Sequence, residues 1–200
     1  MNKPNLLFPT PVWTINLDNY KEINDQMYNY IKSNQNSDEI GISKSNIKGW
    51  HSKDFNLSEK DPQNFITFIL PAIEKVMNDM GWDKEKQTAK ISNMWAIINT
   101  GGAANLRHQH GNSTISGAYY VKAPNNCGDI VFYDPRPAPV FSHPNSNKPN
   151  TLNAMVNSIS PVEGGLVLFP SYLEHSVNSN KSKEERIVIS FNVSLILKNI

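Results

Sequence analysis

Five histidines, His51, His108, His110, His143 and His175, are the side chains best suited to chemistry in this 200-residue chain. His108 and His110 are one residue apart in LRHQH, a stretch that reads as a strand. Residues i and i+2 of a strand face the same way. Two imidazoles so placed make a two-point chelate for a transition metal. The same spacing also fits two polar residues on a solvated strand face. His175 adds a third nitrogen at the end of GGLVLFPSYLEH, where a Gly-Gly turn, an apolar strand and Pro170 bring the chain back.

Arginine is the second signal. The chain has 27 Asn, 19 Ile and 16 Lys but only three Arg, the bias of an AT-rich genome. Where such pressure favours Lys, a retained Arg marks work that Lys cannot do, such as bidentate carboxylate recognition. The three are Arg107, Arg136 and Arg186. Arg186 lies eleven residues after His175 in ERIVISFN, among Ile187, Val188, Ile189 and Phe191, and this apolar setting predicts burial. Chance survival on the surface is the alternative for each.

The elements that must position these groups fall into two parts. Residues 6–17 read as an extended segment that its prolines confine to a sheet edge. Residues 19–32 carry Ile23, Met27, Tyr30 and Ile31 on one helical face, and 33–46 read as a polar loop. A second helix is expected over 62–80, with Pro62 near its start and Gly81 as its stop. From residue 88 the pattern becomes strand-like: 90–100, 106–110, 113–123, 128–134, 152–160, 164–172, 174–178 and 185–197. Short strands between turn signals predict a β-sandwich or barrel, and helices that precede strands argue against an alternating parallel sheet. The stretch 135–151, with five prolines, reads as a long binding loop or lid. The whole is expected to be one domain over 1–200, mostly helical support over 1–88 and a β core over 89–200.

With these elements in place, His108, His110 and His175 fit the two motifs of a cupin, except that the cupin Glu after H-x-H is absent and Tyr172 stands where a Gly is usual. Residues 94–136 (MWAIINTGGAANLRHQH, SGAYYVKAP, GDIVFYDPR) and 161–192 (PVEGGLVLFPSYLEH, RIVISFN) together resemble the prolyl-4-hydroxylase-like branch of the 2-oxoglutarate/Fe(II)-dependent oxygenases. They look closest to the uncharacterised 2OG-Fe(II) oxygenases of bacteria and phages. The resemblance implies a double-stranded β-helix (jelly roll, cupin-like), mainly β with N-terminal helices. It implies Fe(II) and 2-oxoglutarate as cofactors and O2 as co-substrate, with hydroxylation of an unidentified small-molecule or peptidyl substrate. It gives His108 the place of the first metal ligand and His175 that of the last. Arg186, helped by Tyr120, takes the place of the group that grips the distal carboxylate of 2-oxoglutarate.

The departure is His110, which stands where the family's pattern has Asp. Three readings compete. His110 ligates and completes a three-His site, the reading that strand geometry favours. Or Asp134 supplies the carboxylate with His110 behind it, or the third position is left to solvent. Asn99, Asn105, Asp134 and Arg136 are further candidates for contact with substrate. For the two asparagines ordinary loop chemistry is the favoured alternative, and for Asp134 and Arg136 a local ion pair weighs equally. Trp50 is expected in the core with His51 exposed, a place for both at the site entrance being the less favoured alternative; His143 is expected to face solvent, and Trp13, Trp82 and Trp95 are read as core or interface aromatics. Two rival functions remain: a cupin-type three-His dioxygenase or isomerase that needs no 2-oxoglutarate, and a non-enzymatic β-sandwich binding module.

Composition sets the outer limits. A net charge of +1 advertises neither nucleic acid nor an anionic membrane as partner. The single Cys127 excludes an intrachain disulfide framework, and with no neighbouring base it is a poor nucleophile. No apolar run approaches the roughly 18 residues of a membrane span. A cytoplasmic monomer or homodimer is expected, in the host cytoplasm if phage-encoded.

Overall fold

The computed structural model describes residues 3–137 and 144–198. His143, expected to face solvent, lies outside them. Two helices, α1 (Tyr20–Ser37) and α2 (Lys60–Asp79), back a pair of antiparallel sheets. The larger sheet has the order β1 (Trp13–Asn16), β9 (Gly165–Pro170), β6 (Ile115–Lys122), β11 (Arg186–Leu197), β4 (Gln87–Asn99), β3 (Trp50–His51). The smaller runs β2 (Asn46–Ile47), β5 (Ala104–His108), β10 (His175–Val177), β7 (Ile130–Tyr133), β8 (Val156–Ile159). This is the double-stranded β-helix that the sequence predicted, with the proline-bound segment β1 at a sheet edge.

Alternation along the large sheet decides where every group points. Strands β6, β9 and β11 are buried on both faces, because one face meets the helices and the other meets the small sheet. Tyr119, Leu166, Leu168, Ile187, Ile189 and Phe191 pack with Ile23, Met27, Phe65 and Ile69 of the helices. The residues between them, Ala118, Tyr120, Val167, Phe169 and Val188, pack with Ile130, Phe132 and Leu173 between the sheets. Period-2 geometry then carries Arg186, Ser190 and Asn192 to the same inner side as Val188.

Several boundaries differ from the sequence reading, and three of the differences have a readable cause or consequence. Helix α1 runs on through 33–37, expected as loop. There Asn34 Nδ2 donates to Tyr30 O at 2.9 Å and Ser37 Oγ to Ser33 O at 2.9 Å, so polar side chains satisfy helix carbonyls instead of ending the helix. Strand β8 starts at Val156 rather than 152, because Asn150 and Asn153 close a turn: Asn150 N donates to Asn153 Oδ1 at 2.8 Å and Leu152 N to Asn150 Oδ1 at 2.8 Å. Strand β5 ends at His108, so His110 lies beyond the strand that was expected to hold both histidines. Among the described residues, no helix is long and apolar enough to cross a membrane.

Candidate metal and cosubstrate site

The turn between β4 and β5 sets the position of His108. Gly102 adopts φ +83°, a left-handed conformation that side chains disfavour. Its N–H donates to Asn180 O at 2.7 Å, and Asn180 N–H returns a bond to Ala103 O at 2.9 Å. The turn is thereby tied to the loop before β11. Strand β5 then pairs with β10 so that His108 and His175 face each other in register. His110 reaches the same place by another route, with its backbone N–H bound to Ser171 O at 3.0 Å.

The three rings converge. Their centroids are 4.3 Å apart for His108 and His175, 5.1 Å for His110 and His175, and 5.3 Å for His108 and His110. One nitrogen from each lies within 4.8 Å of the others, a set that could hold a metal ion. The remaining nitrogens are engaged: His108 Nδ1 with Leu106 O at 2.7 Å, His175 Nδ1 with Leu173 O at 3.0 Å, and His110 Nδ1 with Asn192 Oδ1 at 2.7 Å. A carbonyl oxygen can only accept, so Nδ1 carries the proton and the Nε2 lone pair is free for a metal.

Burial keeps the rings neutral, the form a metal requires. It pushes the imidazole pKa of His108 and His110 below the ordinary value. His175, packed on Phe169 with ring centroids 4.7 Å apart, is pushed down to about 3 by burial and then by the neighbouring His108. The bond to Leu173 O works the other way and is outweighed.

These rings open into a cavity of about 560 Å³ that is also lined by Tyr120, Arg186, Asn105, Trp95 and His51. Arg186 is only 1% exposed. Its Nη1 donates to Cys127 O at 3.1 Å and Gly128 O at 2.9 Å, while Nε has no hydrogen-bond partner. Gly128 can supply that carbonyl because it adopts φ +92° against the Asn178 backbone, where a Cβ would collide. Among the described residues no carboxylate pairs with Arg186. A buried guanidinium without a counter-charge is costly, and an anionic ligand relieves the cost. Tyr120 lies beside it on β6. Burial raises its phenol pKa although the Arg186 charge opposes the shift, so the group stays a hydrogen-bond donor.

The other sequence candidates separate. Asp134 is turned to Arg136, whose Nη2 and Nε donate to its two carboxylate oxygens at 2.7 and 3.0 Å. That pair lines a different cavity, next to residues 5–10 and 151–155. Asn99 donates through Nδ2 to Asn105 Oδ1 at 3.1 Å and accepts from Asn180 through its carbonyl, a tie between strands. Of the two, Asn105 reaches the cavity. Arg107, on β5 of the small sheet, borders the cavity too, but it is ion-paired with Glu174 and has its guanidinium carbon 4.0 Å from the centre of the Tyr133 ring.

His51, expected to be exposed, is buried in the cavity wall and stacks on Trp95 with centroids 5.8 Å apart and planes 7° apart. Trp95, read as a core or interface aromatic, also meets His110, with centroids 5.5 Å apart and planes tilted at 55°. The sequence held one hint of this: Asn93 and Trp95 alternate on the strand that leads to the H-x-H pair, so they share its inner face. Asn192 and Ser116, which meet His110, carried no signal of their own among 27 asparagines.

A family model described as "Putative 2OG-Fe(II) oxygenase" matches residues 93–192, half of the chain. Several solved structures share the fold. A prolyl-4-hydroxylase from Pseudomonas putida is 12% identical, with a TM-score of 0.64 and 92% of each chain covered. The viral collagen prolyl hydroxylase of Paramecium Bursaria Chlorella virus-1, in complex with 2-oxoglutarate, is 16% identical, with a TM-score of 0.60 over 91% of this chain and 94% of its own. HygX from Streptomyces hygroscopicus, with nickel and 2-oxoglutarate bound, is 9% identical, with a TM-score of 0.63 over 92% of this chain and 83% of its own. At such identities the likeness is one of fold. No curated protein matches the sequence.

Proposed function

The chain belongs to the 2OG-Fe(II) oxygenase family, whose cofactors are Fe(II) and 2-oxoglutarate, and from that premise we propose that it is a hydroxylase whose iron is held by His108, His110 and His175. The observation that carries the reading is that three neutral imidazoles and one buried, unpaired arginine open into the same cavity. Three nitrogen donors suit Fe(II), and three on one side leave positions for a bidentate cosubstrate and O2. Asp134 stays outside the ligand set in this reading, held by Arg136.

Arg186 and Tyr120 bind the distal carboxylate of 2-oxoglutarate, the guanidinium by charge and the phenol as a donor. The bonds from Arg186 Nη1 to Cys127 O and Gly128 O fix the plane of the fork before the ligand arrives, so little side-chain freedom remains to be lost. Phe132, Phe169 and Leu173 exclude water behind His175. His51 and Trp95 form the wall against which substrate lies. Bound together, Fe(II) and 2-oxoglutarate supply the family's chemistry, in which O2 converts the cosubstrate to succinate and CO2 and oxygen enters a C–H bond.

Anaerobic protein mixed with Fe(II) and 2-oxoglutarate should develop a weak visible charge-transfer band and, in air, release succinate slowly without substrate. The three-His donor set keeps one other reading in play, a cupin-type dioxygenase or isomerase that ignores 2-oxoglutarate. Equal metal-dependent turnover with and without 2-oxoglutarate would support that reading instead.

A further inference from the structure

The nitrogen of His110 that must face the metal is set by residues the oxygenase reading does not use. Strand register lines up three polar residues across the large sheet: Asn93 on β4 faces Asn192 on β11, and Asn192 faces Ser116 on β6. A register irregularity at Asn192/Val193 interrupts the ladder at this point. Bulges of this kind re-aim a side chain. The Asn192 carboxamide makes three contacts there. Its Oδ1 lies 2.7 Å from His110 Nδ1 and 2.8 Å from Ser116 Oγ, and its Nδ2 donates to Asn93 Oδ1 at 2.9 Å. Ser116 Oγ is also 2.9 Å from His110 Nδ1 and 2.9 Å from Ser171 Oγ. Ser171 is the residue whose carbonyl holds the His110 backbone.

We infer that Asn192 is a positioning residue that makes His110 a metal ligand by holding its imidazole in the Nδ1–H form. This rests on the three-His reading above and deepens it. The amide has two orientations. In the one observed, Oδ1 takes the Nδ1 proton and Nε2 keeps its lone pair. Turned over, Nδ2 would face Nδ1, the ring would have to accept there, and the proton would move to Nε2, where it blocks metal binding. The donation to Asn93 Oδ1 holds the amide in the first orientation. Because His110 lies beyond the end of β5, strand geometry does not aim it, and this row does. A carboxamide also leaves the imidazole without a neighbouring negative charge. A divalent metal held by three neutral imidazoles would therefore keep both positive charges for the dianionic cosubstrate.

Anaerobic Co(II) titrations of the parent and four variants, with one spectrum of the apoprotein, test the inference. Asn192→Leu keeps the size but removes the acceptor, and should weaken Co(II) binding by about 10–100-fold, as loss of a partner behind a metal-bound histidine does elsewhere. Asn192→Asp can only accept, and should bind Co(II) at least as tightly as the parent. The double variant Asn192→Leu/His110→Ala should be no weaker than His110→Ala alone, because both act through one ring. Long-range 1H–15N spectra of histidine-labelled apoprotein should show His110 as the Nδ1–H tautomer in the parent. Parental affinity in Asn192→Leu alongside weak binding in His110→Ala would overturn the inference while sparing the ligand set, and so would an Nε2–H His110 in the parent. Parental affinity in His110→Ala would instead remove His110 from the metal and take the inference with it. Should Asn192→Leu fail to fold, Ser116→Ala takes its place, with a several-fold loss of Co(II) affinity expected and unchanged affinity refuting the inference.

Discussion

His108 and His175 are register partners across β5 and β10, so two chain segments 67 residues apart meet ring to ring with centroids separated by 4.3 Å. This pairing places two of the three proposed metal ligands on the small sheet. Each ring is braced by the carbonyl two residues before it, Leu106 O and Leu173 O. The sheet therefore sets both direction and tautomer for these two ligands.

Loss of either partner should be decisive. Anaerobically purified parent should bind about one Fe(II) per chain, and His108→Ala or His175→Ala should abolish it, because a two-nitrogen remnant holds iron weakly. Metal analysis after desalting checks this. Retention of stoichiometric iron in both variants would place the metal elsewhere.

Arg186→Lys should weaken 2-oxoglutarate binding about tenfold or more while leaving metal affinity nearly intact. Lys keeps the charge but loses the planar fork and cannot reproduce the two Nη1 bonds to Cys127 O and Gly128 O. The charge-transfer band titrated with 2-oxoglutarate measures the first effect, and Fe(II) content measures the second. An unchanged titration would free Arg186 from the cosubstrate.

Much of this was legible in the residues, for definable reasons. Strands of the β core announce themselves because β6, β9 and β11 are buried on both faces and read as apolar runs between turns. Arg186 stood out because scarcity of arginine made each one informative. Yet the same argument pointed at Arg107 and Arg136 as well, and packing separates them: those two guanidiniums are exposed and have carboxylate partners, whereas among the described residues no carboxylate pairs with the buried Arg186. The burial of His51 was hard to read, since GWHS makes a two-residue strand that pairs with β4, more than forty residues away. The hold on His110 was hidden for the same reason, because Asn93, Ser116 and Asn192 come together only through register.

Acidification should destabilise the apoprotein through its histidines. His108, His110 and His175 are held below the ordinary imidazole value in the fold, His175 at about 3 against 6.5. Below that ordinary value the unfolded chain takes up protons that the folded chain refuses, so stability falls as pH falls. The contribution is fully present above about pH 6.5 and drains away toward about pH 3. Urea unfolding of metal-free protein between these limits should show a steeper loss in the parent than in His175→Gln. Parallel curves would contradict the assigned burial.

Replacement of Asp134 by Asn should leave metal affinity within a few-fold of the parent. Its carboxylate pairs with the exposed Arg136 guanidinium and lines another cavity, away from the three histidines. His110→Asp should also retain metal, since a carboxylate at that position rebuilds the ligand pattern usual in the family. His110→Ala should weaken binding, though less than loss of His108 or His175. Isothermal titration with Mn(II) in anaerobic buffer orders these variants. Collapse of binding in Asp134→Asn alone would return the carboxylate to the site.

The central claim concerns the atoms around the metal, and a crystal structure grown anaerobically with Mn(II) and 2-oxoglutarate tests it most directly. His108, His110 and His175 nitrogens should lie about 2.0–2.3 Å from the metal, with the distal carboxylate of 2-oxoglutarate on the Arg186 guanidinium and the Asp134 carboxylate still on Arg136. A carboxylate oxygen of Asp134 in the metal's shell with the His110 ring turned away, or a metal bound outside the three histidines, would contradict it.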